Sequence, residues 1–184
     1  MDGMKFSHIE EFYTASLILF LLAMKHHDRV VQGCSIPIYD WSETGRVGTG
    51  HLEQVLGGVD RFDVHGGPSR TTYEVKFHFD PDIIVSGTDL LMLIEVKCST
   101  KIEANRLPEY LSFVKAPAHT QSQRWVLLAA PVDWWIESRR RSWAELRRQA
   151  DAQVKIGWMA LEDVVGAIQE NVPHEPGLRR YGDA

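Results

Sequence analysis

The chain has 184 residues, 44% of them apolar, and a formal charge of −5. That length carries one sizeable core and is short for two, so a single domain over residues 1–184 is expected. The negative balance excludes a polyanion binder that is basic over its whole surface, and leaves room for a local basic patch.

Two cysteines, Cys34 and Cys98, give neither a disulfide framework nor a zinc signature, which fits a reducing cytoplasm. The most apolar stretch, Ala15 to Met24, is interrupted by Ser16 and flanked by Glu10, Glu11 and Lys25. It is shorter than the roughly 20 residues that span a bilayer. Its acidic flank and late basic residue also fail the signal-peptide pattern. A core helix, with no membrane partner, is the expectation.

In chain order, Ser7 and Glu10 form a capping box that opens a helix over about residues 7–28. Its apolar residues nearly encircle it, which predicts burial. His26 and His27 fall near its C-terminal end, where partial positive charge suits the dipole. Pro37 and several glycines over 34–50 predict a short strand followed by a loop. A short helix then ends at Gly57-Gly58. From Thr71 the period is two, with Tyr73, Val75, Phe77 and Phe79 on one face and Glu74, Lys76, His78 and Asp80 on the other.

Ser86 to Asp89 is a hairpin turn, and Leu90 to Lys97 is a strand apolar on both faces, suited to the centre of a covered sheet. A helix over 104–115, a buried strand over 124–131, an arginine-bearing helix over 134–153, a strand over 154–160 and a helix over 161–171 follow, before a polar tail at 172–184. The order predicts an α/β fold with a mixed central β-sheet flanked by helices.

The chemistry sits at the end of the apolar strand. Side chains alternate, so Glu95 and Lys97 share a face. A hairpin closing through Gly87-Thr88 sets Asp80 opposite Glu95 and Asp82 opposite Leu93, all on that face. Pro81 has no ladder N–H to give, so the strands can part beside the carboxylates. Carboxylates converging on a gap repel one another unless a cation joins them, and oxygen ligands of this kind suit Mg²⁺. Lys97 could orient or deprotonate a water held there.

Pro81-Asp82, a gap, and Glu95-Val96-Lys97 at the end of an apolar strand resemble the signature of the PD-(D/E)xK nuclease superfamily, which includes restriction endonucleases and archaeal Holliday-junction resolvases. The resemblance implies a restriction-endonuclease-like αβββαβ core over about residues 48–131, with the N-terminal helix and residues 134–171 as additions. It implies Mg²⁺ or Mn²⁺ bound by Asp82, Glu95 and the Val96 carbonyl, with Lys97 assisting the water.

The family's first helix usually supplies another acid. Residues 48–56, Gly-Thr-Gly-His-Leu-Glu-Gln-Val-Leu, resemble the glutamate helix of resolvase-like members, which makes Glu53 the first choice and Glu10 and Glu11 the alternatives. Asp80 is a substitute or an outer acid. No Gln-x-x-x-Tyr motif follows Lys97, only Glu109-Tyr110, which points away from a RecB-type exonuclease.

Arg139, Arg140, Arg141, Arg147 and Arg148 on one helix near Trp134 and Trp135 read either as a phosphate-contacting surface or as a solvated face. The eight histidines contain no zinc motif; His78 shares the face of Asp80 and Asp82 and could line the site. No phosphate-binding Gly-rich loop and no Ser or Cys nucleophile motif is present.

The expected activity is that of a metal-dependent endonuclease: a hydrolase acting on phosphodiester bonds, foremost in DNA. Restriction, defence against phage or mobile DNA, and repair or recombination are the settings the resemblance implies. A homodimer or a larger complex would supply the two active sites a duplex break needs. The alternatives are a catalytically inactive subunit of the same fold that binds nucleic acid or protein, and a plain structural domain.

Overall fold

The computed structural model describes residues 3–25, 35–42, 45–57, 61–66, 81–98, 106–134, 145–150 and 152–171. The strand expected over 71–80, with His78 and Asp80, lies outside these residues, as do Arg139, Arg140, Arg141, Trp135, His26, His27, Cys34 and the 172–184 tail.

The elements are α1 (Gly3–Lys25), β1 (Pro37–Ser42), β2 (Gly45–His51), α2 (Leu52–Gly57), β3 (Phe62–Gly66), β4 (Ile83–Gly87), β5 (Leu90–Val96), α3 (Arg106–Val114), β6 (Gln123–Ala130), α4 (145–149), β7 (Val154–Ala160) and α5 (Leu161–Asn171). The strands form one mixed sheet in the order β2-β1-β7-β6-β5-β4-β3. β3, β4 and β5 are an antiparallel meander. β6 and β7 run parallel to β5 in succession, and β1 and β2 close the other edge antiparallel. A parallel neighbour needs a crossover, and α3 supplies it between β5 and β6.

Every residue of β5 is buried. Its even residues Met92, Ile94 and Val96 pack with Leu17, Phe20 and Leu21 of α1 and Val164 of α5 on one face. Its odd residues Leu91 and Leu93 pack with Tyr110, Leu111 and Val114 of α3 and Leu146 of α4 on the other. This explains a strand without a polar face: both flanks are covered, so each side chain removes apolar surface from water.

Four expectations are corrected. The helix α1 starts at Gly3, so Ser7 and Glu10 lie inside it and are not its cap; no proline interrupts the preceding turn. Among the described residues it is covered on one side, with Phe12 and Leu19 54% and 67% exposed. The glycine-rich stretch after Pro37 is a hairpin, β1 with β2, rather than a strand and a loop. Pro37 stands at the first residue of its strand, where its missing N–H interrupts no ladder.

Finally, the β4–β5 register is shifted by two residues: Ile83 pairs with Ile94 and Ser86 with Leu91, which puts the turn at Thr88-Asp89. The Asp89 carbonyl accepts the Gln123 N–H at 2.8 Å, tying the turn to the start of β6. A shift of two preserves which face each residue occupies, but changes its partner. No described helix is long and apolar enough to cross a membrane.

Candidate active site

One step beyond the Ile83–Ile94 pair, the observed register sets Asp82 across from Glu95, not Leu93. Directly opposed residues hold their Cβ atoms about 5 Å apart. Glu95 lies on the α3 face, where it meets Tyr110, and Asp82 is held at the end of the ladder by the Val96 N–H. Lys97 follows Glu95 two residues later on the same face, and its N–H donates to Ala129 O at 2.8 Å, continuing the parallel ladder to β6.

The edge toward β4 ends differently. Val96 points its N–H and its carbonyl to that side, because Lys97 and Glu95 turn theirs to β6. The residue that would complete the ladder with Val96 is Pro81, which has no N–H. Val96 N–H instead donates to Asp82 Oδ2 at 2.7 Å. The proline thus ends the ladder, a carboxylate takes its place as acceptor, and the Val96 carbonyl gains no ladder donor from Pro81.

Glu95 is 4% exposed and is one of two buried polar or charged residues among those described. Its Oε1 stands 2.6 Å from Lys97 Nζ, and its Oε2 accepts the Tyr110 hydroxyl at 2.6 Å. Both oxygens of a desolvated carboxylate therefore meet a donor, one of them charged, as burial requires. Tyr110 was not picked out as a site residue from the sequence. The signal that could have found it is its place in α3, one turn into the helix that crosses from β5 to β6, within reach of the β5 face.

The structure does not bring Glu53 to this group. Its Oε2 accepts the Ile36 N–H at 3.1 Å and its Oε1 the Ser35 hydroxyl at 3.2 Å. It is fixed to the start of β1, three ladder steps from β5, or about 14 Å at about 4.8 Å per step. Ser35, His51 and Glu53 form a small polar cluster, but not a nucleophile triad. Ser35 Oγ and Glu53 Oε1 both face His51 Nδ1, at 2.7 and 3.6 Å, whereas a triad histidine bridges base and nucleophile through its two different nitrogens.

Helix α1 lies on the face of β5 that carries Met92, Ile94 and Val96, opposite to Glu95 and Lys97. It packs on β3, β5 and α5. The phenol of Tyr13 is held above the ordinary tyrosine range, first by burial and then by Cys98 and Glu162 beside it. Glu10 and Glu11 precede Tyr13 within the same turn. Helix α1 covers the face of β5 opposite to Glu95 and Lys97, so position in the fold does not favour Glu10 or Glu11 over Glu53.

The two described arginines of the basic helix are at the far end of the sheet. Arg147 pairs with Asp40 at 2.6 Å, beside the start of β7, and Arg148 pairs with Glu145 one turn away. Neither borders Asp82 or Glu95. For these two, packing and solvation account for the charge.

Asp82, Glu95 and the Val96 carbonyl are hard oxygen donors at adjacent positions, a set whose chemistry suits Mg²⁺ or Mn²⁺. Among the described residues, no group of three or more His, Cys, Asp and Glu is gathered for a metal; two carboxylates and a carbonyl fall below that number. The cation that meets Glu95 in the structure is the Lys97 ammonium. Comparison with protein-family models, with curated proteins and with solved structures returns no match.

Proposed function

We propose that the chain is a metal-dependent nuclease that hydrolyses phosphodiester bonds, with DNA as its foremost substrate. The observation that carries this reading is the meeting of Asp82 and Glu95-Val96-Lys97 where the β4–β5 ladder ends, with Asp82 Oδ2 2.7 Å from Val96 N and Lys97 Nζ 2.6 Å from Glu95. The order helix, β3, β4, β5, α3, β6, with β6 parallel to β5, is the order the PD-(D/E)xK resemblance implies and supports it further.

Asp82, Glu95 and the Val96 carbonyl would hold the divalent ion, which when bound supplies Lewis-acid stabilisation of the phosphate and acidifies water. Lys97, released from Glu95, would orient the attacking water as a donor, and would take that water's proton only as the neutral amine, after losing its own proton to solvent. Tyr110 fixes the rotamer of Glu95 throughout, through its hydroxyl on Oε2. Leu91, Leu93 and the α3 side chains exclude bulk water from the inner side of the carboxylates.

The test is cleavage of circular, linear and single-stranded DNA and of RNA by purified protein with Mg²⁺ or Mn²⁺. Asp82→Ala, Glu95→Ala and Lys97→Ala are each expected to abolish cleavage while the chain stays folded. Retained cleavage in all three would overturn the site.

A second reading is favoured by one feature: Glu95 is nearly inaccessible, with both oxygens engaged by Lys97 and Tyr110. On this reading the three residues are a structural ion pair, and the chain is an inactive subunit that binds nucleic acid or protein. Calorimetry separates the two, since the inactive subunit takes up no Mg²⁺ or Mn²⁺ and forms a stable complex without either.

A further inference from the structure

Asp82 and Glu95 each have one carboxylate oxygen fixed by a donor that belongs to the fold. Asp82 Oδ2 accepts the Val96 N–H at 2.7 Å, and Glu95 Oε2 accepts the Tyr110 hydroxyl at 2.6 Å. Both donors sit on buried residues, Val96 at 0% and Tyr110 at 1% exposure. Neither can turn to water when its acceptor leaves, so drawing either oxygen away strands a buried donor. The other oxygen of Glu95, Oε1, is held differently. It meets the Lys97 ammonium at 2.6 Å, on a flexible four-carbon stem that can swing aside.

We propose that Tyr110 is a positioning residue that sets the ion selectivity of this site: by holding Oε2 it confines Glu95 to ligation through one oxygen, which disfavours Ca²⁺ against Mg²⁺. This rests on the nuclease reading, in which Asp82, Glu95 and the Val96 carbonyl hold the ion. The two ions differ in what they ask of a carboxylate. Mg²⁺ demands a near-ideal octahedron at about 2.0–2.1 Å and keeps several waters, so one oxygen from each carboxylate serves it. Ca²⁺ gathers about six to eight oxygens at about 2.3–2.6 Å, in part by chelating a carboxylate through both oxygens.

Chelation by Glu95 needs Oε2 to turn toward the ion. The Tyr110 hydroxyl then loses its acceptor inside the cluster it shares with Leu91, Leu93 and Phe113. At Asp82 the corresponding donor is a backbone N–H that no side-chain substitution removes, so Tyr110 is the point at which the selectivity can be changed. A purely structural tyrosine would behave otherwise, because a looser Glu95 weakens both ions together.

The experiment titrates the full chain with Mg²⁺ and with Ca²⁺ by calorimetry, as wild type and as Tyr110→Phe, without nucleic acid. Tyr110→Phe keeps the ring that packs in the core. It is expected to shift the ratio of Ca²⁺ to Mg²⁺ affinity toward Ca²⁺ by about tenfold, the scale of one buried hydrogen bond to a charged group. Infrared spectroscopy of the wild type with ¹³C-carboxyl glutamate supplies a readout that no folding defect can cloud, with the Glu95 bands identified from Glu95→Gln. Mg²⁺ is expected to widen the separation of the asymmetric and symmetric carboxylate stretches, the mark of ligation through one oxygen; chelation narrows it. An unchanged affinity ratio in folded Tyr110→Phe, or a narrowed separation in the wild type with Mg²⁺, overturns the proposal and leaves the metal site standing. If the wild type takes up neither ion, the proposal falls together with the metal site it rests on.

Discussion

Replacing Lys97 by Met removes a charge and keeps most of the stem. Glu95 then remains with 5% side-chain exposure, its Oε1 facing no ammonium, and only the Tyr110 hydroxyl on Oε2. Lys97 itself is 15% exposed, so water screens the pair little. Removing one partner of such a pair leaves an uncompensated buried charge and costs about 3–5 kcal/mol. That is a large part of the about 5–15 kcal/mol of a typical domain.

Urea unfolding in EDTA measures the loss, and Lys97→Met with Glu95→Leu is expected to recover most of it, because the stranded carboxylate goes with the lysine. Tyr110→Phe is the milder companion, expected to cost about 1.5–3 kcal/mol for one bond to a charged acceptor. Mg²⁺ divides the functional readings. If Asp82 and Glu95 bind it, an ion at a hundredfold excess over its Kd restores about 2.7 kcal/mol to Lys97→Met, and much less to the double variant. A cost for Lys97→Met below about 1 kcal/mol, the range of exposed pairs, would refute the description of the group as a desolvated unit.

Two further predictions concern the fold. Gly157→Ala places a Cβ against Ile38 Cγ2 and 3.0 Å from Leu127 Cδ2, so it is expected to destabilise by about 1–3 kcal/mol in urea titration; a neutral result would contradict the packing of β1 on β7. The imidazole of His119 is held below its ordinary value of 6.5, first by burial and then by Arg124. The unfolded chain therefore takes up this proton at higher pH than the fold does, and stability falls as pH drops through 6.5 toward the folded value. Melting temperatures across that window should show a shallower decline in His119→Gln than in the wild type; equal slopes would assign the dependence to other groups.

The α/β class and the burial of Leu90 to Val96 were legible from pattern alone. Five consecutive apolar residues, Leu90 to Ile94, suit a strand covered on both sides, and β5 has α1 on one face and α3 on the other. The common face of Glu95 and Lys97 was equally secure, since strand alternation survives a register error of two. Which residue opposes Glu95 was not secure. Gly87-Thr88 and Thr88-Asp89 are both acceptable turns, and the choice rests on the Asp89 carbonyl meeting Gln123 N–H, a bond to a strand more than thirty residues later.

Local sequence determined the buried strand and the face that carries Glu95 and Lys97, because these follow from a period of two and from residues that cannot continue a ladder, such as Pro81. Tertiary structure decided everything that depends on distant segments meeting. It fixed Glu53 to Ser35 and Ile36 just ahead of β1, laid α1 on the face of β5 opposite to Glu95, placed Tyr110 on Glu95, and set Arg147 on Asp40 away from the carboxylates. A helix glutamate looks the same in sequence whichever strand it reaches; only the order of strands in the sheet sets that distance.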